Sequence, residues 1–256
     1  MLRGLMAWML IVLLTPAALA VDFRIETKVY SGDEEVPVSQ NTTLFQNGVV
    51  YDFVETTSRV SIYRHGMNDQ PGRFVLLDPN LSIKTELSTD RMDVAIEKLR
   101  GWARLQQHPL LVFSADPNFA ESFDTETGEL SLVHPQMTYK AATKPVNRSE
   151  AWTDLRNYFD AYAKLNCMLG SPTPPTPRLA LNKSLENHNV YPTEVTLSIA
   201  GNSLTGEGDT ELRAEHTFTW RLSKDDRARI TLVDEQLVSF RSVSNAEFQR
   251  QSVASK

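Results

Sequence analysis

Leu44-Phe45-Gln46-Asn47-Gly48-Val49-Val50-Tyr51-Asp52-Phe53 is the stretch that decides the architecture. Asn47-Gly48 lies between two apolar-rich runs. Asn-Gly in that setting is the strongest short hairpin signal, because both turn residues need positive φ. Upstream, Phe23, Ile25, Thr27 and Val29 alternate with Arg24, Glu26, Lys28 and Tyr30, the period of two expected of a half-buried strand. Downstream, further strands are predicted over 60–63, 73–77 and 83–87, with Asp78-Pro79-Asn80 as the turn joining the last two. Residues 23–88 therefore read as a meander of about six antiparallel strands.

The period then changes to 3.6. Met92, Ala95, Ile96, Leu99, Trp102 and Ala103 share one helical face, with Thr89 or Asp90 as the cap and Pro109 as the stop. Leu110 to Phe113 suit either a strand or a helical turn. Strands over 119–123 and 129–134 flank a Thr125-Glu126-Thr127-Gly128 turn, and 137–141 suits a third. A second long helix carries Ala151, Leu155, Tyr158, Tyr162, Leu165 and Leu169 on one stripe, widened by Trp152 and Phe159. Asn147 with Glu150 has capping-box chemistry, and Gly170 suits the helix end. Pro172, Pro174, Pro175 and Pro177 stop it, and Thr176-Pro177 opens a short third helix over 178–187.

The remainder is predicted to be strand. Val195, Leu197 and Ile199 alternate, and after a polar loop over 201–209 so do Leu212, Ala214, His216, Phe218, Trp220 and Leu222. Lys224-Asp225-Asp226 reads as a turn, and 230–233 with 237–243 as a last long strand bent near Asp234-Glu235.

Residues 1–20 have the parts of a cleavable secretory signal: Arg3, an apolar run from Leu5 to Leu14, and Ala18-Leu19-Ala20. That run rises about 15 Å as a helix, half a bilayer's hydrocarbon thickness, so a permanent membrane anchor is not expected. Cleavage between Ala20 and Val21 places the mature protein in the periplasm or outside the cell, and no cysteine follows the site for lipid attachment. The expected organisation is a signal over 1–20, one α+β domain over 21–248 and a disordered tail over 249–256. Cys167 is the one cysteine, so no internal disulfide is available, and its place on an amphipathic helix suggests a packed thiol. The net charge of −6 without a basic stripe speaks against nucleic acid as a partner.

Motifs for chemistry are sparse. His65, His108, His134, His188 and His216 include no i,i+4 pair and complete no zinc set with cysteines or carboxylates. His216, on the apolar face of its strand, is expected to be a satisfied core or rim histidine. Gly201-Asn202-Ser203-Leu204-Thr205 lacks the closing glycine and the strand-to-helix turn of a nucleophile elbow. Asp124-Thr125-Glu126-Thr127-Gly128 lacks the ligands of a calcium loop, with Pro135 where a bidentate glutamate belongs. No glycine-rich phosphate loop follows a strand, so no cofactor is expected, and nothing assembles acid, base and nucleophile. The sequons at Asn41, Asn147 and Asn182 occur at chance density.

The aromatics remain. Trp102, Trp152, Phe159, Phe218 and Trp220 sit on the apolar faces of two helices and a strand. They either fill an ordinary sheet-on-helix core or line an apolar cavity where helices partly close a curved sheet. Over residues 40–90, the hairpin from Leu44 to Phe53, followed by Arg73-Phe74-Val75-Leu76-Leu77-Asp78-Pro79, resembles the periplasmic lipoprotein carriers of bacterial envelopes. It is also similar to exported bacterial proteins with the same hairpin and an "LLDP" turn. The resemblance implies a half-barrel-like, curved antiparallel sheet, with two long helices and one short helix packed on one face. It implies a lipid or lipoprotein acyl chain as partner. Carriers begin with a helix where this chain enters a strand at Asp22-Phe23, and they lack the helix, proline linker and helix of 147–188. No functional residue of that family is carried over. The expected role is a non-catalytic, exported binding protein; the rivals are an interaction module with a filled core and an enzyme whose histidines and carboxylates converge in a cleft.

Overall fold

The computed structural model describes residues 21–170, 173–201 and 209–254. The expected export signal, with Ala20 of its cleavage site, lies outside the described residues. Val21 is inside them and packs against the core.

The chain runs β1 (Phe23–Ser31), β2 (Ser39–Gln46), β3 (Val49–Val54), β4 (Arg59–Arg64), β5 (Arg73–Asp78), β6 (Ile83–Ser88), α1 (Thr89–Arg104) and α2 (Pro109–Ala115). Then come β7 (Ala120–Asp124), β8 (Glu129–His134), β9 (Met137–Pro145), α3 (Ser149–Met168), α4 (Thr176–Asn187), β10 (Val190–Ile199) and β11 (Thr210–Thr219). The chain closes with α5 (Lys224–Ser239), β12 (Arg241–Ser242) and α6 (Asn245–Ala254). The strands form one 12-stranded sheet ordered β12-β6-β5-β4-β3-β2-β1-β11-β10-β9-β8-β7. All its pairings are antiparallel except β12 with β6. It is curved and unclosed, an α+β fold as the sequence predicts.

The hairpin forms for the reason its sequence implies. Asn47 and Gly48 adopt φ of 51° and 73°, and Gln46 pairs with Val49 across them. Both values lie in the left-handed region that a two-residue hairpin turn requires. The meander β1–β6 follows, and the ambiguous segment after Pro109 resolves as α2, with the proline at the helix start where its missing N–H costs nothing.

Two faces of the sheet are covered. On the inner face, Phe23, Ile25, Phe45, Val50, Tyr63 and Phe74 pack against Ala151, Leu155, Tyr158 and Leu165 of α3, with Met92 of α1 and Phe248 of α6. Farther along that face, α2 and α4 bury Leu110, Phe113, Leu181 and Leu185 against β8–β10. The outer face of β2–β5 presents Leu44, Tyr51, Phe53, Ile62, Val75 and Leu77, and these are covered by Leu222, Ile230 and Val233.

That outer cover corrects the sequence reading, because residues 224–239 are helix α5 and not the predicted strand. Ser223 accepts from the Asp226 backbone N–H while the Asp226 carboxylate accepts from the Ser223 N–H, a capping box that sets the helix start. Asp226 also receives Arg24 at 3.1 Å, tying α5 to β1. Helices therefore lie on both sides of the sheet, not on one. At α3 the expected Asn147–Glu150 box is replaced by Arg148 at the N-cap with no side-chain cap. The segment expected to be a disordered tip after Phe248 continues as helix α6 to Ala254, anchored by the buried Phe248.

Candidate functional site

Strand register brings a set of polar side chains onto the inner face. On β2, Ser39, Asn41 and Thr43 share their side with Phe45, because alternate residues face the same way. Asp52 of β3 stands opposite Thr43, and Ile25 and Thr27 of β1 stand opposite Thr43 and Asn41. Thr27 and Val29 in turn pair with His216 and Ala214 of β11. Val195 and Leu197 of β10 continue the row, opposite Ala214 and Leu212. α3 crosses above with Tyr158, Phe159, Tyr162 and Ala163, and α4 contributes Arg178 directly after the proline linker.

Between sheet and helices lie two cavities of about 350 and 510 Å³. Val29, Ala163, Asn166, Arg178 and Ala214 belong to the walls of both, so they are two lobes sharing one partition. Their volumes fall in the range of about 300–1,000 Å³ typical of small-molecule sites. The smaller lobe is polar at its base, where Asp52, Asn41, Thr43 and His216 meet. The larger is mostly apolar, walled by Leu110, Met137, Val195, Leu197, Ile199 and Leu212, with Pro174, Pro175 and Pro177 at the side.

Asp52 is almost fully buried, and burial pushes its carboxyl up to about 6. Hydrogen bonds limit the rise: Thr43 Oγ1 donates at 2.7 Å, Asn41 Nδ2 donates at 2.9 Å, and the Tyr162 and Tyr158 hydroxyls also favour the charged form. Asn41 Nδ2 additionally reaches the Tyr162 oxygen at 3.2 Å, linking β2 to α3. The buried position of Asn41 excludes it as a glycan acceptor in the folded chain. His216 shares a 2.9 Å hydrogen bond through Nδ1 with Thr27 Oγ1. Burial, helped by the nearby Arg178 charge, lowers its pKa to about 3. Its Nε2 is buried without a partner among the described residues.

Arg178 Nε donates to Asn182 Oδ1 at 3.1 Å, and its guanidinium lies 6.0 Å from the Phe159 ring centroid. Asn182 in turn donates to Asp160 at 2.8 Å, joining α4 to α3. Burial disfavours the arginine's charge, while Tyr139 and Asp160 favour it. Cys167 lines the larger lobe as a half-buried thiol whose pKa is raised by burial.

Of the five aromatics expected to line a cavity, Phe159 alone does so here. Trp102 is 48% exposed on α1, away from both lobes. Trp152 and Trp220 close around a gap of only about 10 Å³. Phe218 stacks on Trp220 at 5.7 Å, and Trp220 meets Phe23 at 5.3 Å. These rings fill space and do not enclose it. Conversely, Asn41, Thr43, Asp52 and Arg178 escaped the sequence reading. The parity of β2 was the available signal, since Ser39, Asn41 and Thr43 lie in line with the core residue Phe45.

His216 is held neutral by burial, and Asp52, pushed up to about 6, has both oxygens engaged by hydrogen bonds. No protein-family model matches the chain, and no match is found among curated proteins.

Proposed function

We propose that this chain is an exported, soluble, non-catalytic binding protein of the bacterial cell envelope that holds a lipid or lipoprotein acyl chain between its sheet and helices. The observation that carries this reading is the 510 Å³ lobe walled by aliphatic side chains of β9–β11 and α2. An apolar cleft of that size, open to solvent on one side, gives an acyl chain a way in and aliphatic walls to lie against. The apolar run of residues 1–20 supports export. The likeness of residues 40–90 to lipoprotein carriers supports an acyl cargo.

The test pairs native mass spectrometry of the purified protein with titration of a fluorescent fatty acid. Co-purified acyl lipid and saturable binding are expected. Ala163→Phe should abolish both while preserving the circular dichroism spectrum, because Ala163 borders both lobes and is itself buried. A protein that carries no lipid and binds no fatty acid refutes the proposal.

A further inference from the structure

The cavity has a chemical polarity that the acyl-chain reading alone does not use. Arg178 stands in the partition between the lobes, with aliphatic walls on one side and the polar base of β1–β3 on the other. Its guanidinium remains charged under any physiological condition. No carboxylate of a described residue forms an ion pair with it. Asp160, the acidic group whose charge it feels, is engaged by Asn182, and the one hydrogen bond Arg178 makes to a described residue is through Nε. Asp52, the carboxylate among the described residues that line the smaller lobe, has its oxygens taken by Thr43 and Asn41. Arg178 is part-buried, lines both lobes and makes no ion pair with a described carboxylate, so its terminal nitrogens can receive an anion from outside the chain.

His216 lines the same lobe with its ring; its Nδ1 is occupied by Thr27 Oγ1, and its Nε2 is buried away from the lobe's surface.

We infer that the cargo is a single-chain amphiphile with an acidic headgroup, a fatty acid, whose carboxylate is received by Arg178 while its chain occupies the aliphatic lobe. One guanidinium matches one negative charge, and its planar fork matches a carboxylate. The inference rests on the binding reading proposed above and adds the headgroup and the residue that recognises it.

The experiment titrates the purified protein with a pyrene-labelled fatty acid and with its methyl ester, which keeps the chain and removes the charge. The acid is expected to bind roughly ten- to a hundredfold more tightly, the range for a hydrogen bond to a charged group. Arg178→Met should level the two by weakening the acid and leaving the ester unchanged, and Arg178→Lys should restore part of the preference. Equal binding of acid and ester by the unaltered protein overturns the inference and leaves the acyl-binding reading standing. Loss of acid and ester alike in a folded Arg178→Met variant also overturns it, since that marks a structural role. Failure of both probes to bind the unaltered protein overturns the inference and the reading together. If Arg178→Met does not fold, the acid-to-ester ratio of the unaltered protein decides.

Discussion

Asp52→Asn tests the electrostatics of the inner face most directly. The native carboxyl titrates at about 6, against an ordinary value of 3.8, because burial disfavours its charge more than Thr43 and Asn41 favour it. Well below pH 3.8 the group is protonated both in the native chain and in the unfolded one, and costs nothing. As pH rises, the unfolded chain releases its proton first, so the native state is progressively disfavoured until the native carboxyl has ionised above pH 6. At about 1.4 kcal/mol per pH unit, the full difference is about 3 kcal/mol. An asparagine cannot ionise, and it can keep the Thr43 bond through its oxygen while Asn41 reverses its amide. The variant should therefore match the parent within about 1 kcal/mol near pH 4 and exceed it by about 3 kcal/mol near pH 7.5. Urea unfolding followed by tryptophan fluorescence across that interval measures the difference, and a carbon NMR titration of Asp52 gives the midpoint independently. A stability difference that stays flat with pH, or an Asp52 midpoint near 3.8, would refute the reasoning.

Trp220→Ala should lower stability by about 2–4 kcal/mol, somewhat under the range for a fully buried ring, because Trp220 packs on Phe23 and Phe218 and carries Arg148 at 5.3 Å over its face. Fatty-acid affinity of the folded variant should be unchanged, and a binding defect at full stability would contradict the packing role. On α5, Ile230→Ala should cost about 2–5 kcal/mol and Val238→Ala under about 0.5, since Ile230 is buried under the sheet and Val238 is 88% exposed. In a strand, residues 230 and 238 would share a face and lose stability together, so denaturant midpoints of the pair distinguish the two structures.

Much of the fold was legible because its strongest signals are local. Asn47-Gly48 needs positive φ whatever surrounds it, and the stripe from Ala151 to Leu165 has no reading but helix. The segment 224–239 was not legible in that way. Ile230-Thr231-Leu232-Val233 is rich in branched residues that favour strands, and exposed Leu232 and Val238 blur the helical stripe of Ile230, Val233 and Leu237. What decides it is tertiary: the outer face of β2–β5 carries Leu44, Phe53, Ile62 and Leu77, and a helix that buries Ile230 and Val233 there covers it. Ser223 followed by Asp226 was the local clue, a capping pair read as a turn. The binding cavity depended still more on register. Asp52 and His216 are far apart in sequence, and they share a lobe because Asp52 pairs with Thr43, Thr43 with Ile25, and the neighbouring Thr27 with His216.

The misplaced cavity follows from a physical point about side-chain volume. Large aromatics on an apolar face suit either a filled core or the wall of a void, and where Phe218, Trp220 and Trp152 gather they fill the space. Along the inner side of β11 the residues run Leu212, Ala214, His216 and Phe218, with Trp220 just beyond the strand. Space is filled at the Phe218 and Trp220 end, where Phe23 and Tyr191 also pack. It opens at Ala214, which lines both lobes together with Ala163 of α3 and has Val29 and Val195 as its strand neighbours. A helix held at a fixed height by aromatics at one end stands clear of the sheet where the side chains beneath it shrink. The lobes therefore lie where the apolar alternation gives way to alanine, threonine and histidine. There, too, Arg178 lines both lobes with no ion pair to a described carboxylate.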